Sequence, residues 1–145
     1  MEKKDAQAYA VVVITRRNCF TLTAAAPLLL AQSDDAVRKA AEKWLALIDQ
    51  AKYKDAYKEG SQHVRARATV DEWEPQIRAI REGAGEMRQR TYTSGKPAKS
   101  MDNAPDGEYM VVEFAAAFAK KEKAVEIVMM SREGGTWKVA GYFIR

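Results

Sequence analysis

The chain has 145 residues, 47% hydrophobic and 30% charged, which suits one globular domain with a single core and excludes a low-complexity or disordered protein. The formal charge is +4, but residues 1–33 carry Lys3, Lys4, Arg16 and Arg17 against Glu2 and Asp5, so the remainder, with 20 basic and 18 acidic groups, is nearly neutral. Its charges alternate in sign along the helical stretches, which excludes a nucleic-acid face, and a single cysteine, Cys19, excludes an internal disulfide or a thiolate metal centre.

Residues 1–33 read as an address. Arg16 and Arg17 directly precede an apolar run, Cys19 to Ala31, interrupted by Pro27, and Ala31-Gln32-Ser33 offers small residues where a signal peptidase cuts. The order Thr15-Arg16-Arg17-Asn18-Cys19-Phe20-Thr21-Leu22 resembles a twin-arginine signal. A span of the bilayer takes about 20 apolar residues, more than this run supplies, so cleavage and not anchoring is expected. The expected product is residues 34–145, one α+β domain, periplasmic or secreted, with no membrane contact after cleavage. A second apolar patch, Ala8 to Ile14, lies upstream of the arginines, where a signal is normally polar. Translation from Val11, Val12 or Val13 would restore an ordinary basic start.

In the mature part, Asp34 or Asp35 can cap a helix whose apolar positions Val37, Ala40, Ala41, Trp44, Leu45 and Ile48 fall on one face. Asp49 to Lys52 break it. A shorter helical segment around Tyr53, Ala56, Tyr57 and Val64 holds the only histidine, His63, which has no carboxylate or second ligand near it in sequence and receives no chemistry. Thr69-Val70-Asp71-Glu72 has the form of a capping box, and Val70, Trp73, Ile77, Ile80 and Ala84 continue it as an amphipathic helix ended by Gly83 and Gly85. Pro75 sits deep for a first turn, so the spacing predicts a later start or a bend there.

Four strands follow. Met87 to Tyr92 form the first, and the Gly- and Pro-bearing stretch Ser94 to Gly107 reads as a loop. The second alternates cleanly, with Met110, Val112, Phe114, Ala116 and Phe118 on one face. A turn at Lys120-Lys121 would set Phe114 opposite Ile127 and Val112 opposite Met129, and Gly134-Gly135 would turn the third strand into the fourth. This register places Val125, Ile127, Met129, Tyr142 and Ile144 under the helices. The other face then carries Val111, Ala115, Val128, Met130, Val139 and Phe143, with Glu113 and Glu126 among them. That second apolar face calls for a cover, either a second copy in a two-fold homodimer or a partner protein, with arginines at the rim answering both glutamates.

Among polar residues Glu126 stands out, because it lies mid-strand between apolar neighbours. A carboxylate there is either a base with a raised pKa or an acid satisfied by an arginine, for which Arg81, Arg90 and Arg145 are available. The candidate binding residues are therefore Trp73, Arg81, Arg90, Glu126 and Tyr142. No catalytic constellation, metal spacing or phosphate loop is present, and no cofactor is expected.

Several short segments carry a resemblance when taken together: Trp44-Leu45-Ala46-Leu47-Ile48-Asp49, Trp73 with Arg81 and Gly85, Arg90, Pro105-Asp106-Gly107-Glu108-Tyr109, Ala124-Val125-Glu126, and Trp137-Lys138-Val139-Ala140-Gly141-Tyr142. In that order they resemble the exported bacterial domain of unknown function numbered four thousand and nineteen. The resemblance implies an exported domain and no reaction. Helices followed by a curved four-stranded antiparallel sheet also resemble the nuclear-transport-factor-like or cystatin-like architecture, in which helices cross one sheet face over a conical pocket. On that analogy the leading expectation is a non-enzymatic binding or accessory module. The alternative is a small-molecule isomerase or hydrolase, which would need an acid and a base converging on a ligand-sized pocket.

Overall fold

A computed structural model describes residues 26–145 and, from Asp34 onward, their side chains. Of the address read in residues 1–33, residues 1–25, with Arg16, Arg17, Cys19 and the three valines, lie outside the described residues, and 26–33 belong to the first helix. Four helices, α1 (Ala26–Asp49), α2 (Tyr53–Lys58), α3 (Gln62–Arg67) and α4 (Val70–Ala84), precede four strands, β1 (Met87–Ala98), β2 (Tyr109–Phe118), β3 (Lys121–Glu133) and β4 (Thr136–Ile144). The strands form one antiparallel sheet in the order β1-β2-β3-β4, and the fold is α+β.

The first helix does not begin at Asp34 or Asp35. Its backbone continues back to Ala26, because the upstream Ala and Leu residues favour helix and Pro27 falls in the first turn, where a missing N–H is tolerated. Asp34 instead accepts a hydrogen bond from the Tyr92 hydroxyl on β1 at 3.0 Å. The expected segment around His63 divides into α2 and α3. Between them Ser61, fully buried, caps α3 through a bond from Val64 N–H to its Oγ, and its own N–H reaches Val139 O on β4. The box at Thr69 does start α4, with Glu72 accepting from both the N–H and the hydroxyl of Thr69 at 2.9 Å, and Pro75 is carried inside the helix.

Strand β1 is longer than expected. It continues through Ser94, Gly95 and Pro97 to Ala98, because an edge strand tolerates proline and a register shift between Tyr92 and Ser94 absorbs the irregularity. Gly95 leaves room there for two side-chain ends. A Cβ on it would lie 2.4 Å from Asp34 Oδ1 and 3.0 Å from the Tyr92 hydroxyl.

The β2–β3 register differs from the expected one by a residue. The turn is Ala119-Lys120, Phe118 pairs with Lys121, and a register shift follows, so that Phe114 faces Glu126 and Val112 faces Val128. The Gly134-Gly135 turn sits where expected, with both glycines at positive φ, and Met130 pairs with Val139 as that turn demands. A bulge at Ala140 then moves Val128 opposite Tyr142. Val128, Met130 and Val139, expected on the second face, are therefore in the core, whereas Val125, Ile127 and Met129 lie on the outer face.

One apolar cluster joins helices to sheet. Val37, Ala41, Trp44, Leu45 and Ile48 of α1, Tyr53 and Ala56 of α2, and Ile77 of α4 meet Val112, Phe114, Val128, Met130, Val139 and Tyr142. The end of α4 is pinned to the β2–β3 turn: Lys120 N–H bonds Ala84 O at 2.9 Å and Ala119 N–H bonds Glu86 O at 2.8 Å. Gly85, at φ +85°, makes that close approach possible, since a Cβ would stand 3.1 Å from Lys120 N. This tie fixes the last turn of α4, and with it Arg81, over the sheet.

Candidate functional site

The corrected parity of β3 puts Glu126 on the covered face, where its solvent exposure is 0%. An unpaired carboxylate in that position would carry a large desolvation cost, and both of its oxygens accept hydrogen bonds. Arg90, on β1, donates Nε to Glu126 Oε2 at 2.5 Å and Nη2 to Oε1 at 3.1 Å. The same guanidinium donates Nη1 and Nη2 to the two oxygens of Asp49, at 2.7 and 3.0 Å. Arg81, on α4, pairs with Asp49 at 3.0 Å and with Glu126 Oε1 at 3.4 Å, and lies over the Phe118 ring. Tyr142, on β4, donates its hydroxyl hydrogen to Glu126 Oε1 at 2.6 Å, and that hydroxyl oxygen accepts from Arg81 at 3.4 Å.

Two acids, two arginines and a phenol thus close on one another. Planar guanidinium forks suit this double bridging, which a lysine could not supply. Burial alone would lower the pKa of each arginine; the hydrogen bonds and charges of Asp49 and Glu126 outweigh it for Arg90, and Tyr142, Asp49 and Glu126 do so for Arg81. Both guanidinium groups are held charged. Burial, together with the adjacent Glu126 charge and hydrogen bond, pushes the Tyr142 phenol far above its ordinary value, so it remains a neutral donor.

Of the candidate residues read from sequence, Arg81, Arg90, Glu126 and Tyr142 come together here. Trp73 does not join them directly: it stands edge-on to Trp44 at 6.3 Å between ring centroids, and Trp44 in turn lies 5.4 Å from Tyr142. Trp44 Nε1 bonds Ala56 O at 2.9 Å, which locks this aromatic row between α1, α2 and the sheet. Arg145 is not a partner of Glu126; it pairs with Glu113 on the outer face at 3.5 Å. The expected rim arginine for Glu126 is therefore replaced by two interior ones. Nothing local in the sequence marks Asp49 as a member, because its position at the end of a helical run reads as a break, yet it closes the Trp44–Asp49 segment that contributes to the resemblance.

Concavities of about 140 and 310 Å³ open at the edges of the helical layer, the first beside Trp44 and Trp137 and the second beside Asp49 and Arg81, but the space over the centre of the sheet is nearly filled. Between Trp44, Trp73, Ile77, Val139 and Tyr142 a void of only about 20 Å³ remains. A concavity of about 510 Å³ lies on the opposite, outer face of the sheet, floored by Ala115, Ala117 and Val125 and edged by Gln89, Thr91 and Arg145. Among the described residues no group of three or more His, Cys, Asp or Glu is placed to hold a metal ion, and no helix is long and apolar enough to cross a membrane.

Residues 40–142 match the family model described as protein of unknown function, DUF4019. The chain belongs to that family. The match runs from the middle of α1 to Tyr142, so it encloses Asp49, Arg81, Arg90, Glu126 and Tyr142. No curated protein matches this DUF4019 chain.

Proposed function

We propose that this DUF4019 protein is exported to the periplasm and works there as a non-enzymatic binding module that makes its contacts through the outer face of the sheet. The filled interior carries the reading. A void of about 20 Å³ holds a water molecule at most, far below the few hundred Å³ of a small-molecule site. The buried acid that a conical-pocket isomerase or hydrolase would use as its base is occupied by permanent donors from Arg81, Arg90 and Tyr142. At 0% exposure, and with donors from three side chains already on it, Glu126 offers a substrate no open approach.

Export is supported by the order of arginine pair, apolar run and small residues in front of Asp34. Fractionation of cells carrying the native gene, followed by N-terminal sequencing, tests it: periplasmic protein starting at or near Asp34 is expected, and a mature chain still starting at Met1 overturns it. A photo-crosslinking residue placed at position 143 tests the contact surface in the same cells. Crosslinked product is expected from position 143 and not from a control on the exposed side of α4, such as position 79; equal yields at both positions would overturn the surface assignment.

A further inference from the structure

We infer that the occupant of the outer sheet face is a second copy of this chain, docked about a two-fold axis by a knob and a hollow that the same face provides. The inference rests on reading that face as the contact surface and names its partner.

The knob is Phe143. It is the one large apolar side chain among the described residues that stands exposed, at 53%, and it projects from β4 on the outer row. The hollow is the concavity over Ala115 and Ala117 of β2. It exists because β2 carries alanines where its neighbours carry long side chains: Gln89 and Thr91 rise on one side, Lys123, Val125 and Arg145 on the other. An alanine floor with a long-chain rim has the shape of a socket for a flat ring.

Knob and hollow are spaced for mutual insertion. Phe143 pairs with Ile127 and Ala115 pairs with Val125, so the two features stand on β4 and β2 with β3 between them. At about 4.8 Å per strand they lie roughly 10 Å apart across the sheet. A two-fold axis lying in the plane between the two faces, over Val125 and Ile127 and at right angles to the line from Phe143 to Ala115, carries each Phe143 onto the other copy's alanines. An isologous interface requires this condition, that one patch contain both halves of the contact.

The charges are self-complementary as well. Glu113 and Glu122 share the face with Lys96, Lys123 and Arg145, so each copy offers acids to the other's bases. Arg145 is bound to Glu113 only at 3.5 Å and its side chain is 68% exposed. It travels beside Phe143 in the two-fold and reaches the acids of the opposite copy. Val111, Ile127 and Met129, half-buried in the single chain, complete the seal.

Sedimentation velocity of the full chain over a wide concentration range tests the inference, with Phe143→Asp removing the knob and Ala115→Arg filling the hollow. Both positions are exposed, and circular dichroism melts check that each variant folds. Reversible dimerisation is expected, weakened about tenfold or more by either change. A wild type that stays monomeric at several hundred micromolar overturns it, as does a dimer that tolerates both variants. The crosslinker at position 143 separates the two levels of the argument. A product of twice the chain mass supports the second copy; a product with a different protein keeps the outer face as contact surface and overturns self-association; no product overturns both.

Discussion

Tyr142 and Glu126 meet across adjacent strands with a 2.6 Å hydrogen bond, the phenol 5% and the carboxylate 0% exposed. Their pairing bears on which row of β3 faces the helices. Strand β3 has two apolar rows, Ala124, Val128 and Met130 on one side and Val125, Ile127 and Met129 on the other. Hydrophobicity alone favours burying the row without a charge. The row with Glu126 is buried because Tyr142, Arg81 and Arg90 wait on that side, and a one-residue slip would strand two arginines without Glu126.

Parity has a direct mutational signature. Val128→Lys places an ammonium in the core and is expected to cost more than about 4 kcal/mol or to prevent folding, whereas Ile127→Lys points outward and costs about 1 kcal/mol or less. Chemical denaturation of the two variants checks it. The opposite ranking would return the sheet to the register that the alternation alone suggests.

The ionic cluster should behave as a unit. Removing one charged member by Glu126→Ala or Arg90→Ala leaves the buried cluster one counter-charge short, at about 3–5 kcal/mol each. The double variant is expected to cost less than the sum by more than about 1 kcal/mol, because the second loss relieves the charge exposed by the first. Urea unfolding of the four members of this cycle measures the coupling; strict additivity would mean that the two groups do not interact in solution.

Alkaline conditions should loosen the fold through Tyr142. Its folded pKa is raised well above the ordinary 10.0, by burial first and then by the Glu126 charge. Above pH 10 the unfolded chain gives up this proton and the folded chain does not, so stability present below pH 10 is lost as pH rises further. Tyr142→Phe is expected to cost about 1–3 kcal/mol at neutral pH, since Glu126 loses a donor, and to flatten the decline above pH 10. Melting curves from pH 7 to 11 for both proteins decide it. Parallel slopes would remove Tyr142 from the account.

A fourth test lies at the sheet edge. Gly95→Ala would bring a methyl group against Asp34 Oδ1 and the Tyr92 hydroxyl, so one of the two must move and their 3.0 Å hydrogen bond opens. A loss of about 1–3 kcal/mol is expected. Adding Asp34→Ala to the same chain should recover part of it, because the smaller side chain leaves room for the methyl. No recovery would place the clash elsewhere.

The sequence made some of this legible and hid the rest for physical reasons. Alternation in β2, the Gly134-Gly135 turn and the Thr69–Glu72 box are local signals, and each stands where the residues place it. The pairing of Glu126 with Arg81 and Arg90 was open to inference because a mid-strand carboxylate demands cations. Which row of β3 faces inward was not, since both rows are apolar and the deciding contacts come from residues 16 to 45 positions away. Asp49 looked like a helix-end residue because its partner Arg90 lies 41 positions downstream. Gly95 and Pro97 read as loop formers, since nothing local announces that β1 is an edge strand.

The cluster also sets how the chain can be divided. Each arginine bonds both carboxylates, and the four side chains come from α1, α4, β1 and β3. A break anywhere between Asp49 and Glu126 therefore leaves neither fragment with an arginine holding its full pair of acids. The domain has no smaller autonomous half, so fragments should gain structure only when mixed, and a ribosome-bound chain lacking Glu126 should remain open until that strand emerges.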